Sequence, residues 1–155
     1  MDEVPRMGRH ILAADDSQCC RILLQQFLKN TPHILMFAAD GVSAVELFLS
    51  SRFDLILMDK QMPGMDGLSA TRAIRAAERE QNRSPVFIVA LTADALARDI
   101  EASYAAGCDA HLSKPICRQQ LLEMIETLPL ISASQQLDQL AEQVNQRRVP
   151  RIVPS

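Results

Sequence analysis

Tryptophan is absent from this 155-residue chain, tyrosine occurs once and phenylalanine five times, so platforms for stacking nucleic-acid bases are not expected. Cysteine is sparse too. Cys19, Cys20, Cys108 and Cys117 form no C-x-x-C pair and no Cys/His spacing of the zinc type. They read as reduced thiols of a cytoplasmic protein, and Cys19-Cys20 falls in a helix-patterned stretch where free cysteine acts as a small apolar side chain. Long apolar runs are missing: Leu55–Met58 and Val86–Leu91 fall far short of the roughly 20 residues that span a bilayer. No membrane segment is therefore expected. The opening Met1-Asp2-Glu3-Val4-Pro5 is acidic and shows no apolar core of a secretory leader. Positive charge is not in excess, with 16 Lys and Arg against 19 Asp and Glu and a net charge of −3. Direct binding to nucleic acid or anionic lipid is accordingly not expected. What is present, 48% hydrophobic and 23% charged residues, is the composition of an ordinary globular domain.

Short apolar runs alternate with longer amphipathic ones. His10–Ala14 ends abruptly in Asp15-Asp16-Ser17, after which Cys19, Ile22, Leu23, Phe27 and Leu28 recur at helical spacing. Ile34–Ala38 predicts a second strand, and Asp40-Gly41 opens a helix carrying Ala44, Val45, Leu47 and Phe48. Phe53–Met58 and Pro85–Leu91 predict the third and fourth strands. Both are apolar without alternation, as strands buried on both faces of a parallel sheet are. Between them, a Pro/Gly-rich loop leads through Asp66-Gly67, read as a helix start, into a helix ending near Arg79. Ala95–Ala106 predicts a helix stopped by Gly107, Ala110–Leu112 a short fifth strand, and Arg118–Leu128 a last helix. Five strand–helix units predict an α/β, doubly wound parallel sheet with helices on both faces. Residues 8–130 form this domain, and 131–155 a helical tail with a short stripe of Leu137, Leu140, Ala141 and Val144. That tail reads equally as an extra helix folded on the domain or as a linker or dimerisation helix, which would make a homodimer.

In a doubly wound sheet, function gathers at the carboxyl ends of the strands. Those ends supply Asp15 and Asp16, then Asp59, Thr92 and Lys114. A single strand-end Asp is usually a helix cap; the full set is hard to assign to caps. Two carboxylates about 4 Å apart repel by about 4 kcal/mol at an effective dielectric near 20. Three such acids call for a cation, and one lysine cannot balance them. Carboxylate, carbonyl and water ligation without Cys or His points to Mg2+, with a phosphate oxygen filling an open position.

Together these residues carry a resemblance. Asp15-Asp16, Asp59 within Leu57-Met58-Asp59-Lys60-Gln61-Met62-Pro63-Gly64-Met65-Asp66-Gly67, Thr92-Ala93 and Lys114-Pro115 resemble the receiver domain of bacterial two-component response regulators. The wording around Asp59 is similar to receivers attached to hybrid sensor kinases. The resemblance implies a flavodoxin-like strand order 2-1-3-4-5. It makes Asp59 the phosphoacceptor, attacking the phosphoryl group of a partner's phosphohistidine to form an acyl phosphate. The partner is then a sensor histidine kinase or a histidine phosphotransfer protein. Mg2+ would be held by Asp15, Asp16, Asp59 and the backbone carbonyl of Gln61. Lys114 would pair with one phosphoryl oxygen and Thr92 would donate its hydroxyl to another, reporting phosphorylation to the helix that follows. Such a chain catalyses its own phosphorylation and dephosphorylation without being a conventional turnover enzyme. Gln61 and Asp94 flank the site where the family tunes hydrolysis. In this family the Lys-Pro bond is commonly cis.

One position departs from the family. The switch residue three places before the lysine is usually Tyr or Phe, and here it is His111. Other classes fit less well. A phosphatase of the haloacid dehalogenase type needs an acid where Gln61 stands, and no G-x-x-x-x-G-K-[ST] segment of a P-loop occurs. The remaining alternative is an interaction module of the same fold that is never phosphorylated.

Overall fold

Ten elements alternate strictly along the chain in the computed structural model, which describes residues 8–93 and 96–128. They are β1 (His10–Ala14), α1 (Gln18–Phe27), β2 (Ile34–Ala38), α2 (Gly41–Ser50), β3 (Leu55–Asp59), α3 (Gly67–Gln81), β4 (Phe87–Thr92), α4 (Ala97–Ala106), β5 (Ala110–Ser113) and α5 (Arg118–Glu126). All strand pairs are parallel and the sheet order is β2-β1-β3-β4-β5. The expected tail helix over 131–155 lies outside the described residues, as does Asp94.

The apolar runs of β1, β3 and β4 are buried on both faces because side chains alternate across a sheet that helices cover on both sides. One face packs Leu12, Ile56, Met58 and Ile88 against Phe48 of α2 and Ala70 and Ile74 of α3. The opposite face packs Ile11, Leu55, Leu57 and Val89 against Leu24 of α1 and Leu121 and Ile125 of α5. At roughly 2 kcal/mol per fully buried aliphatic side chain, these two layers dominate the stabilisation.

Local chemistry sets where each element begins and ends. Ser17, Asp40 and Asp66 cap α1, α2 and α3 by accepting from the amides of Cys20, Ser43 and Ser69. Asn82 (φ 54°) and Gly107 (φ 119°) end α3 and α4 in the left-handed conformation. Arg83 closes the end of α2, donating to the carbonyls of Phe48 and Ser51 at 3.0 Å each while its guanidinium lies 4.2 Å over the Phe48 ring. His33 sits at the start of β2 and accepts the Arg9 amide through Nδ1.

Several expectations shift, among them the ends of β5, at Ser113 rather than Leu112, and of α5, at Glu126 rather than Leu128. On α1 the inward line is Cys20, Leu24, Phe27 and Leu28, whereas Cys19 and Ile22 face solvent. The Ser17 cap fixes the helical phase, and the inward face then advances by threes and fours from Cys20. Strands β3 and β4 start at Leu55 and Phe87, two residues later than the apolar pattern predicts, and run through Asp59 and Thr92. Asp54 leaves the apolar run because its Oδ2 accepts the His10 amide at 2.7 Å. Helix α4 begins at Ala97, with Leu96 as its cap residue; Ala95, where the pattern starts it, lies outside the described residues.

Candidate functional site

The strand ends β1, β3, β4 and β5 meet at one rim, and the parallel register sets the neighbours. Asp59 is level with Leu91 and Thr92 with Ser113, so acidic, hydroxyl and ammonium groups from separate chain segments converge. Ligand oxygens of Asp15, Asp16 and Asp59 lie within 4.8 Å of one another. Asp15 is fully buried, Asp59 and Thr92 are nearly so, and Asp16 is exposed. The Lys114 ammonium stands 2.9 Å from Asp15 Oδ2 and 3.3 Å from Asp59 Oδ2. Its backbone is held by a bond from Lys114 N–H to the Thr92 carbonyl at 2.8 Å, and the Lys114–Pro115 peptide is cis.

Hydrogen bonds separate the two buried acids. Asp15 Oδ1 accepts the Ser17 amide at 2.8 Å, and Asp59 Oδ1 accepts the Gln61 amide at 3.3 Å. Burial pushes Asp15 up, but bonds from the Cys20 thiol, the Ser17 amide and Lys114 outweigh it and hold the carboxyl below its ordinary range. For Asp59, burial and the Asp15 charge prevail over Lys114 and the Gln61 amide, and its pKa is raised. Burial lowers that of Lys114, yet the Asp15 bond and the charges of Asp59 and Asp15 raise it overall. Burial, with the Asp15 bond and charge, pushes the Cys20 thiol up to about 12 and leaves it a neutral donor.

Above the cup opens a cleft of about 580 Å³ whose walls include Asp16, Asp59, Lys60, Thr92, Asp99 and Lys114. All the strand-end residues anticipated from sequence thus share one site. Gln61 lines the same cleft with an exposed side chain. His111 is half-buried one strand away, its Nδ1 3.4 Å from the Tyr104 hydroxyl and its ring edge-on to that of Tyr104. Sequence reasoning missed Cys20, Lys60 and Asp99. Cys20 was legible in principle, one helical turn beyond Ser17, whereas nothing local pairs Lys60 with a residue 39 positions away.

The donor set suits a hard divalent cation. Three carboxylates crowd together without a nitrogen or sulfur ligand, and the buried Asp15 Oδ2 faces only the Lys114 ammonium, at 2.9 Å, among the positively charged groups described.

Comparison with known proteins agrees with this geometry. Residues 11–126 match the response regulator receiver domain. The chain is 42% identical over 115 residues to the sensor protein GacS of Pseudomonas syringae pv. syringae, covering 74% of this chain and 13% of GacS. It is 32% identical over 139 residues to probable histidine kinase 2 of Oryza sativa subsp. indica, covering 80% of this chain and 13% of that protein. The chain therefore spans about an eighth of the length of these relatives. Among solved structures, the receiver domain of sensor histidine kinase PA1611 from Pseudomonas aeruginosa PAO1, with magnesium in its active site cleft, superposes with TM-score 0.69 at 36% identity, covering 78% of this chain and 97% of that one. A structure of the Saccharomyces cerevisiae phosphotransfer protein Ypd1 with the receiver domain of Ssk1 gives TM-score 0.75 at 28% identity, covering 79% and 89%. No helix among the described residues is long and apolar enough to cross a membrane. With its acidic cup, its strand order and its match over residues 11–126, the chain belongs to the response regulator receiver domain family of two-component signalling.

Proposed function

We propose that Asp59 accepts a phosphoryl group from a phosphohistidine on a sensor histidine kinase or histidine phosphotransfer protein, and that the resulting acyl phosphate switches the domain to regulate a downstream output. One observation carries this reading: a single ammonium, Lys114, spans two buried carboxylates of a three-acid cup that opens into a cleft.

In the transfer, a carboxylate oxygen of Asp59 attacks phosphorus as the phosphorus–nitrogen bond of the phosphohistidine breaks. The electron pair leaves with the imidazole. Asp15, Asp16, Asp59 and the Gln61 carbonyl would hold Mg2+, which when bound supplies charge neutralisation between attacking and leaving groups. Lys114, already in place, pairs with a phosphoryl oxygen once Asp59 is phosphorylated. Thr92, at the neighbouring strand end, donates its hydroxyl to another. Thr92 and His111 form the proposed switch path, with His111 standing against Tyr104 of α4. The thiols, none of which is in a disulfide, accord with a cytoplasmic setting.

The test is mass spectrometry of the protein incubated with acetyl phosphate and Mg2+. A single phosphoryl addition is expected in the wild type and none in Asp59→Asn or after chelation. Absence of the addition in the wild type favours the non-phosphorylated interaction module instead.

A further inference from the structure

Helix α4 is weakly moored where it meets the cleft. Its N-cap residue, Leu96, makes no side-chain capping bond, and none of residues 96–102 is buried; the buried residues of α4 are Ser103 and Ala106, near its end. The first turn nevertheless lies on the cleft wall, because Asp99 reaches the Lys60 ammonium through its carboxylate and its backbone carbonyl, each at 3.5 Å.

Lys60 is a firm anchor for that turn. It follows Asp59 directly, its amide donates to the Leu91 carbonyl, and its own carbonyl accepts the Gly67 amide at 3.0 Å. The backbone is thus fixed to β4 on one side and to α3 on the other. The side chain is mostly covered, at 16% exposure, and projects into the cleft that Asp59 and Lys114 line.

We infer that Lys60 is a positioning residue that holds the first turn of α4 against the acceptor cleft through Asp99, and that a phosphoryl group on Asp59 competes with Asp99 for its ammonium. The second half rests on the phosphoacceptor reading of Asp59. Phosphorylation replaces one carboxylate charge with a phosphoryl group of higher charge in the same cleft. Only a difference in contacts between the two states can shift a conformational equilibrium, and Lys60 supplies one. An exposed or half-exposed ion pair contributes little to global stability. Where no buried side chain holds a helical turn, though, the same small contribution governs local opening.

Amide hydrogen exchange over residues 97–103 tests both halves, using wild type, Lys60→Gln, Asp99→Asn and the charge-reversed Lys60→Asp/Asp99→Lys. Without phosphodonor, each single variant is expected to exchange about two- to fivefold faster in this segment, with α3 unchanged. The reversed pair restores protection, which a merely structural role for either side chain would not. Raising salt to about 1 M speeds exchange in the wild type toward that of the single variants. With Mg2+ and acetyl phosphate, phosphorylated wild type is expected to exchange faster in this segment, while Lys60→Gln shows no further increase. Wild-type exchange in the single variants overturns the tether. An equal donor-induced rise in wild type and Lys60→Gln overturns the competition. A wild type that gains no phosphoryl mass overturns the acceptor reading and the competition with it, and the donor-free comparison still decides the tether.

Discussion

A side-chain carbon on Gly67 would overlap the backbone carbonyl oxygen of Asp59. The first turn of α3 packs so closely on the end of β3 that the Gly67 amide donates to the Lys60 carbonyl at 3.0 Å, and the Thr71 hydroxyl bonds back to the Gly67 carbonyl at 2.8 Å. The obstacle is backbone, which cannot swing aside as a flexible side chain can. Gly67→Ala is expected to destabilise the domain by about 1–3 kcal/mol and to displace Asp59, lowering the rate of phosphoryl uptake from acetyl phosphate. Urea unfolding and time-resolved mass spectrometry measure the two effects separately.

Lys114→Ala leaves Asp15 buried without its counter-charge. In Mg2+-free buffer at neutral pH, a loss of about 2 kcal/mol is expected. A divalent cation entering the cup would replace the missing charge, so the variant should regain more stability on adding Mg2+ than the wild type gains. Thermal melts with and without EDTA check this. Equal Mg2+ effects on both proteins would mean that the cation does not reach Asp15.

Asp66 caps α3, and the Ser69 amide bonded to it holds its carboxyl below the usual range. A depressed folded pKa contributes stability above the unfolded value and loses it as pH falls through the folded value. Asp66→Ala is therefore expected to destabilise by about 1 kcal/mol at pH 7, with the difference narrowing as pH falls through the depressed folded value and the charged part of the bond is lost. Denaturant titrations across that range give the profile. Asp66→Asn, which keeps an accepting oxygen, should retain most of the stability at pH 7 and show a flatter acid limb.

Arg75 joins two acids that lie 31 positions apart, bonding Glu78 at 2.8 and 3.0 Å and Asp109 at 2.8 Å, while its Nε donates to the Gly107 carbonyl. Glu78 and Asp109 in turn accept the amides of Val86 and Ile88. Burial keeps the Glu78 pKa raised even with Arg75 beside it. Arg75→Met is expected to destabilise by about 3 kcal/mol at pH 7. The loss should ease as pH falls and Glu78, whose pKa burial already raises, takes up a proton and no longer needs the Arg75 charge. A deficit that stays constant from pH 7 to pH 4 would mean that packing, not charge, is what Arg75 provides.

Much of this was legible in one dimension. The uninterrupted apolar runs at Leu55–Met58 and Val86–Leu91 marked buried parallel strands, and Asp66 and Gly107 marked helix ends, because these signals depend on neighbours a few residues away. Strand ends placed Asp15, Asp16, Asp59, Thr92 and Lys114 at one rim because parallel strands share a direction. The phase of α1 was not legible, since Cys19, Ile22 and Leu23 are as apolar as the residues that face inward, and only the Ser17 cap and the sheet beneath select Leu24.

The sequence by itself determined the order of elements, the crowding of acids at the strand ends and the need for a positive partner. Those follow from periodicity, chain direction and charge. Tertiary structure alone decided that one ammonium reaches both Asp15 and Asp59, that Lys60 meets Asp99, and that His111 stands against Tyr104. Each of these contacts spans a crossover or a strand boundary, where the reach and direction of side chains are set by packing against the sheet rather than by any neighbour along the chain.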